Sequence, residues 1–377
     1  MELAGWNYLG IFLGALLLSL LLTPLALRMA LRRQIMDEPG GHKSHASPVP
    51  YLGGTAIVGA FALAVGIGSL LRPPESGRDE LLIVLGLALG LAVMGLIDDL
   101  RGLSPWLRLA VQFGAGIGVA TTGVGVAVFD WAPLNLALTV VWVVGITNAF
   151  NLLDNMDGLS AGVAAIASAW FFIIAAANGQ FLVAGLAIGL AGCALGFLRH
   201  NFHPARIYMG DAGSLFLGFM LAVIGLRLRF DAPMEITFLV PILVLGVAIF
   251  DTTLVTVTRL SHGRSPLSGG RDHTSHRLVF VGIPVPATVA LIYAGAISVG
   301  WLALIVSRVD HGTGYLLVAW VLLVAGFVGL LLGRTPVYET SRRRRLMIQE
   351  VVGHELEPSS SPPDGYDATA PSIARSG

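Results

Sequence analysis

Apolar runs of about 20 residues recur from one end of this 377-residue chain to the other. A helix of that length, rising about 1.5 Å per residue, crosses a hydrocarbon layer about 30 Å thick. No water is available there, so each run must close its backbone hydrogen bonds within itself, which helices do. Composition agrees: 55% of residues are hydrophobic and 12% charged, against about 25% charged in soluble domains. The fold class read from this is all-α, a polytopic transmembrane helical bundle. Formal net charge is zero, so charge gives no sign of a nucleic-acid partner. The single cysteine, Cys193, lies in an apolar run; it excludes a disulfide framework and reads as a packing residue.

Eleven spans are predicted, near residues 8–31, 52–71, 81–97, 106–124, 134–150, 159–177, 181–198, 213–230, 237–257, 286–307 and 314–333. The first lacks a basic n-region and is too long for a signal peptide. Starting the N-terminus outside places Arg28, Arg32, Arg33, Lys43, Arg101, Arg108, Arg199, Arg206, Arg259, Arg264, Arg271, Arg277, Arg334 and Arg342 to Arg345 on the cytoplasmic side. That is 17 of the 23 Lys and Arg residues, so the positive-inside rule favours N-out, C-in. The outer loops are short. The cytoplasmic ones are longer, carry Asp, Asn, His and Gly, and are where an active site is expected. Residues 1–335 then form the transmembrane domain. Residues 336–377 form a basic segment that meets anionic headgroups and a Ser-, Pro- and Gly-rich tail expected to be disordered.

Four constellations stand out on the cytoplasmic side. Asp98-Asp99 ends the third span; two adjacent carboxylates at a membrane border call for a cation or a proton, although a solvated helix end is the plainer alternative. Asn148, Asn151, Asp154 and Asp157 recur every third residue, sweeping about half a helix circumference, so they cannot all face lipid. Gly210-Asp211-Ala212-Gly213-Ser214 opens an apolar helix. Glycine bares N–H groups that suit a phosphate, and Asp211 is the best Mg²⁺ ligand because its charge would otherwise repel that phosphate; an ordinary capping turn is the alternative. The fourth, from Ser261 to Arg277, gathers His273, His276, Arg264 and Arg271, which suit a pyrophosphate better than zinc. A smaller cluster, His42-Lys43-Ser44-His45, offers Lys43 to a lipid headgroup phosphate. Asp251, inside the ninth span, is a carboxylate without an assigned role.

In this order the motifs resemble the polyprenyl-phosphate N-acetylhexosamine-1-phosphate transferases of glycosyltransferase family 4. The carriers are Asp98-Asp99-Leu100-Arg101-Gly102-Leu103, the Asn-rich segment Asn148 to Leu159, Gly210 to Ser214 and the His273-x-x-His276 loop, across residues 40 to 335. Eleven spans and the His42–His45 segment resemble the branch that starts O-antigen and teichoic acid polymers. The sister branch, the phospho-MurNAc-pentapeptide transferases, is the nearest alternative. Asn155-Met156 departs from the commoner Gly-Leu at that place.

The resemblance implies a multi-pass protein of the bacterial plasma membrane. It would join a UDP-N-acetylhexosamine, GlcNAc the expected sugar, to polyprenyl (undecaprenyl) phosphate, with Mg²⁺ or Mn²⁺ as cofactor and release of UMP. Asp98 or Asp99 would act as base, and Asp211 with Asp154 would hold the metal. Asn148, Asn151, Asp154, Asp157, Gly210 and Ser214 would line the nucleotide and metal pocket. His273, His276, Arg264 and Arg271 would hold donor phosphates. A homodimer is the remaining partner to consider, and a lipid-linked substrate transporter or flippase is the rival class.

Overall fold

The computed structural model describes residues 2–37, 48–71, 77–230 and 234–338. The His42–Lys43–His45 cluster, the Arg342–Arg345 run and the tail from 339 lie outside the described residues. The chain is almost wholly helical: α1 Glu2–Arg33, α2 Gly53–Leu71, α3 Arg78–Arg101, α4 Pro105–Thr121, α5 Ala132–Leu153, α6 Leu159–Ala177, α7 Phe181–Asn201, α8 Gly210–Arg227, α9 Met234–Thr237, α10 Leu239–Val244, α11 Gly246–Ser261, α12 Thr274–Phe280, α13 Val285–Val306 and α14 His311–Gly333. Two short strands, β1 Met36–Asp37 and β2 Val49–Pro50, pair antiparallel.

Among the described residues, nine helices are long and apolar enough to cross a membrane: α1 to α3, α5 to α8, α13 and α14. Two of the eleven predicted spans differ. The fourth is α4, only 17 residues long. The ninth is broken into α10 and α11 at Leu245. Pro241 lacks an N–H, so the ladder has no donor there and the chain enters α10 afresh after Phe238. The break is small, since the Leu245 N–H reaches the Pro241 carbonyl (3.0 Å) and the Ile249 N–H reaches Leu245 (3.1 Å).

Helix α8 is the centre of the bundle. It is apolar all round, and Leu215 through Val223 are buried without exception, the pattern of a helix surrounded by others. At the other extreme, α14 buries only Gly314 and displays Leu316, Leu323 and Phe327, as a helix facing lipid does. Lipid supplies no hydrophobic drive between helices, so close packing of small residues matters most. The neighbours of α8 meet it through glycine: a Cβ on Gly54 of α2 would overlap the Gly213 backbone, one on Gly95 of α3 would lie 2.5 Å from the Asp211 carbonyl, and one on Gly218 would lie 2.8 Å from Thr147 of α5. Cys193 is fully buried, and its carbonyl accepts the Ser19 hydroxyl of α1 (2.8 Å). It is a packing residue, as its surroundings in the sequence suggest.

The segment before α2 is laced to the segment before α8. The Tyr208 N–H donates to Pro50, and the Gly53 and Gly54 N–H groups donate to Tyr208 and Met209, each at 2.9 Å. This lacing fixes where α8 begins.

Gly54→Ala should therefore lower the thermal midpoint in detergent, losing about 1–3 kcal/mol through overpacking against rigid backbone. Gly66→Ala, where nothing lies within 4 Å, should leave it unchanged.

Candidate active site

Helix α3 ends on two aspartates that point to different tasks. Asp98 is buried. Its Oδ1 accepts the Leu103 N–H (2.5 Å) and its Oδ2 accepts Arg108 Nη1 (2.7 Å). The turn that allows this is local. Gly102 takes φ +66° and returns its N–H to the Asp98 carbonyl (2.8 Å). Ser104 then caps α4, accepting the Leu107 N–H (3.2 Å), with Pro105 as the first helical residue, a position where a missing N–H costs nothing. The tight reversal swings Arg108 back over the end of α3, and the same Nη1 reaches Asp211 Oδ2 (3.1 Å).

Asp99 caps α8. Its Oδ1 accepts the Asp211 N–H (2.9 Å) and its Oδ2 accepts the Ala212 N–H (3.3 Å), two of the donors that a helix start leaves unsatisfied. The positive end of the α8 dipole favours an anion here. Gly210 is required: it has φ +67°, and a Cβ would lie 2.5 Å from Asp99 Oδ2. The sequence reading offered these N–H groups to a substrate phosphate; in the fold Asp99 takes two of them. The Tyr51 hydroxyl holds the Asp99 carbonyl from the α2 side (2.7 Å).

Asn151, two residues before the end of α5, donates from Nδ2 to Asp211 Oδ1 (2.7 Å) and to the buried Ser214 hydroxyl (3.0 Å). Asp154 ends α5. Its carboxylate has no hydrogen-bond partner among the described residues. Burial, then the charges of Asp211, Asp99 and Asp157, push its pKa well above the usual carboxylate range. Asp157 is satisfied: its Oδ2 accepts the Ala205 N–H (3.0 Å) and lies 2.8 Å from His203 Nδ1. Asn201, buried at the end of α7, ties the two loops together, accepting the Gly158 N–H and donating to the Ile207 carbonyl, both at 3.0 Å. Asn148 sits a turn back from this group, its amide donating to Gln112 of α4 and to the Val144 carbonyl.

The histidine loop is held by its own frame. Asp251, left without a role by the sequence, places Oδ2 2.8 Å from His273 Nδ1 and accepts the Thr274 N–H on Oδ1 (2.6 Å). Arg259 grips Asp272 in a two-point pair (2.8 and 2.7 Å), with both side chains buried. Arg277, fully buried, donates to the carbonyls of Asp272 (2.7 Å) and Leu332 (2.9 Å). Asn155 joins this loop to the carboxylate group, its Oδ1 accepting the Ser275 hydroxyl (2.6 Å). His276 sits with its ring centroid 6.2 Å from that of His273. Burial, then the neighbouring His273 and Arg271, push its pKa down to about 4. At neutral pH it offers hydrogen bonds and no charge. Arg264 and Arg271 lie on the loop before α12, Arg271 exposed and Arg264 half-buried. Lys43 lies outside the described residues.

Of the residues singled out in the sequence, Asp98, Asp99, Asn151, Asp211 and Ser214 are thus linked directly. Asp154 and Asp157 adjoin them, and His273 and His276 are tied on through Asn155. Arg108, Tyr51 and Arg259 were missed, and Asn201 and Asp272 lay within the segments singled out but without a role of their own. Arg108 had a signal, a cation in the first turn of a capped helix four residues past Ser104; the others depend on contacts between distant segments.

A family model described as glycosyl transferase family 4 matches residues 81–229. The probable undecaprenyl-phosphate N-acetylglucosaminyl 1-phosphate transferase of Bacillus subtilis (strain 168) is 34% identical over 270 residues, 68% of this chain and 73% of that protein. This chain belongs to glycosyl transferase family 4. A decaprenyl-phosphate N-acetylglucosaminephosphotransferase of Mycobacterium tuberculosis (strain CDC 1551 / Oshkosh) is 34% identical over 286 residues, 66% of this chain and 70% of that protein. A phospho-N-acetylmuramoyl-pentapeptide-transferase of Shouchella clausii (strain KSM-K16) is 34% identical over 245 residues, covering less of this chain, 58%, and 71% of that protein. The segment matched to family 4 runs from α3 to just past α8 and contains the whole carboxylate group. The histidine loop lies beyond it.

Two outcomes follow from this family 4 site. Asp251→Ala strands the His273 ring and the Thr274 N–H in a buried place, which costs about 1–3 kcal/mol; proteolysis of the 262–273 loop should accelerate. His276 binds its proton more weakly folded than unfolded, where its pKa is near 6.5. The unfolded state therefore holds more protons between pH 6.5 and 4, and stability falls as pH drops through that window. His276→Gln should show a shallower fall in thermal midpoint than wild type over the same range.

Proposed function

We propose that the chain transfers N-acetylhexosamine 1-phosphate, with GlcNAc as the sugar, from a UDP-sugar to polyprenyl phosphate, releasing UMP and starting a lipid-linked cell-envelope glycan. The observation that carries this is the joining of Asp98, Asp99, Asn151, Asp211 and Arg108 at one end of an apolar bundle, in a chain whose relatives bear the names given above. One substrate lives in the membrane and the other in water, so their meeting place must be at that border. Counting α4 and the α10–α11 pair as spans gives eleven, N-out and C-in, with this end of the bundle in the cytoplasm of a bacterial plasma membrane.

A lipid phosphate oxygen attacks the β-phosphorus of the donor. The new P–O bond forms as the bond to the leaving UMP oxygen breaks and UMP takes the electron pair. The second proton of a phosphate monoester leaves near pH 6, so the attacking group needs little help from a base. That suits Asp98 and Asp99, whose oxygens already hold α4 and α8 in place. Their work is positioning. His273, fixed by Asp251, and His276 supply hydrogen bonds to donor phosphates, with Arg271 and Arg264 as the nearby cations. Asp157 and Asn151 face the nucleotide side.

Mg²⁺, or Mn²⁺ in its place, fits the donor set. Asp154 is an open carboxylate among like charges, a group that calls for a cation. No cluster of three His, Cys, Asp or Glu is ready-made for a metal among the described residues. Mg²⁺ does not need one, since it binds through one or two carboxylates with water and substrate oxygens. Asp211 and Asp154 would hold it, and when bound it would offset the negative charge that develops on the departing UMP phosphate.

The test is UMP release from UDP-GlcNAc by purified protein with polyprenyl phosphate and Mg²⁺. Asp211→Asn should lower the rate at saturating substrate by about 10²-fold or more; a rate close to wild type would overturn the assignment. A second reading, transfer of phospho-MurNAc-pentapeptide, is favoured by the Shouchella clausii relative. A donor panel that releases UMP only from that nucleotide would select it.

A further inference from the structure

Arg108 has one feature that packing alone does not require. A single nitrogen, Nη1, bonds both Asp98 Oδ2 (2.7 Å) and Asp211 Oδ2 (3.1 Å), two carboxylates that lie 113 residues apart in sequence. The guanidinium therefore bridges the two carboxylates, as a small cation would. Its side chain is about 30% exposed, while those of Asp98 and Asp211 are 7% and 25% exposed. The arginine is thus the most exposed of the three. The other Asp211 oxygen is engaged by Asn151 (2.7 Å). A divalent ion at ligand distance from Asp211, about 2.1 Å for Mg²⁺, would lie within a few Å of any guanidinium that stayed, and like charges that close repel strongly.

We propose that Arg108 is a resident counter-ion of the Asp98–Asp211 pair, and that a divalent cation binds Asp211 only by displacing it. With no metal, Arg108 keeps the two carboxylates together at the membrane border. With metal, it is released from Asp211 and keeps at most its bond to Asp98. The chain thereby carries a built-in competitor that weakens metal affinity and makes binding and guanidinium release one event. This rests on the reading of Asp211 as a metal ligand, but it does not depend on which sugar is transferred.

The experiment uses the full chain in lipid nanodiscs with Mn²⁺ alone, without nucleotide or polyprenyl phosphate. Free Mn²⁺ is followed by electron paramagnetic resonance. Removing a partly exposed charge competitor should tighten binding in Arg108→Gln by about fivefold, while Arg108→Lys, which keeps the charge, should stay within about twofold of wild type. Asp211→Asn should remove the saturable binding. On the wild-type protein, modification of Arg108 by phenylglyoxal, read by mass spectrometry, should speed up as Mn²⁺ saturates; this measurement stands even if Arg108→Gln does not fold. Equal or weaker Mn²⁺ affinity in Arg108→Gln, unchanged or slower labelling with Mn²⁺, or no saturable binding in wild type would each overturn the proposal. A protein that fails to release UMP yet shows tighter binding and faster labelling would sink the transferase reading and leave this one standing.

Discussion

The Asp99 carboxylate on the first N–H groups of α8 is the contact on which the site depends. It joins the end of α3 to the start of the central helix, so the polar end of one apolar segment meets the polar start of another. A half-buried carboxylate needs donors, and a helix start needs acceptors; each supplies the other. Gly210 and Gly95 let the two backbones approach closely enough for it. Once α3 and α8 are fixed, Asp98 and Asp211 fall on either side of Arg108, and Asn151 closes the group from α5.

Around that contact the charges are balanced unevenly. Asp98 and Asp211 share an arginine, Asp99 has a helix end, and Asp157 has His203 and a backbone N–H. Asp154 has none of these among the described residues. One carboxylate without a hydrogen-bond partner thus stands beside four that have one. The histidine loop is built differently, on buried pairs, the Arg259–Asp272 ion pair and the contact of His273 with Asp251. Breaking one side of such a pair is costly, so the loop is stiff where it carries the histidines. The Ser275 hydroxyl, donating to Asn155, joins the two halves.

Much of this was legible in the sequence, and the misses have physical causes. Span positions followed hydropathy because the membrane demands length and apolarity from every crossing. The ninth span reads as continuous from hydropathy, which does not register the backbone break at Leu245. The three-residue recurrence of Asn148, Asn151, Asp154 and Asp157 correctly marked the end of α5 as polar. It did not show that Asn148 turns to Gln112 while Asn151 turns to Asp211, since both face away from lipid. Asp251 was visible as an intramembrane carboxylate, but its partners are 22 and 23 residues away across a loop.

The sequence by itself determined that the chain is helical and membrane-sized, about where most of its apolar helices lie, and which polar segments between them carry carboxylates, amides and imidazoles. These are local properties, set by hydropathy, glycine and capping residues. Only the tertiary structure decided which carboxylate caps a helix, which shares Arg108 and which stays open. That choice depends on Gly54, Gly95 and Gly218 letting α2, α3 and α5 close on α8, a distance between segments that no single segment encodes.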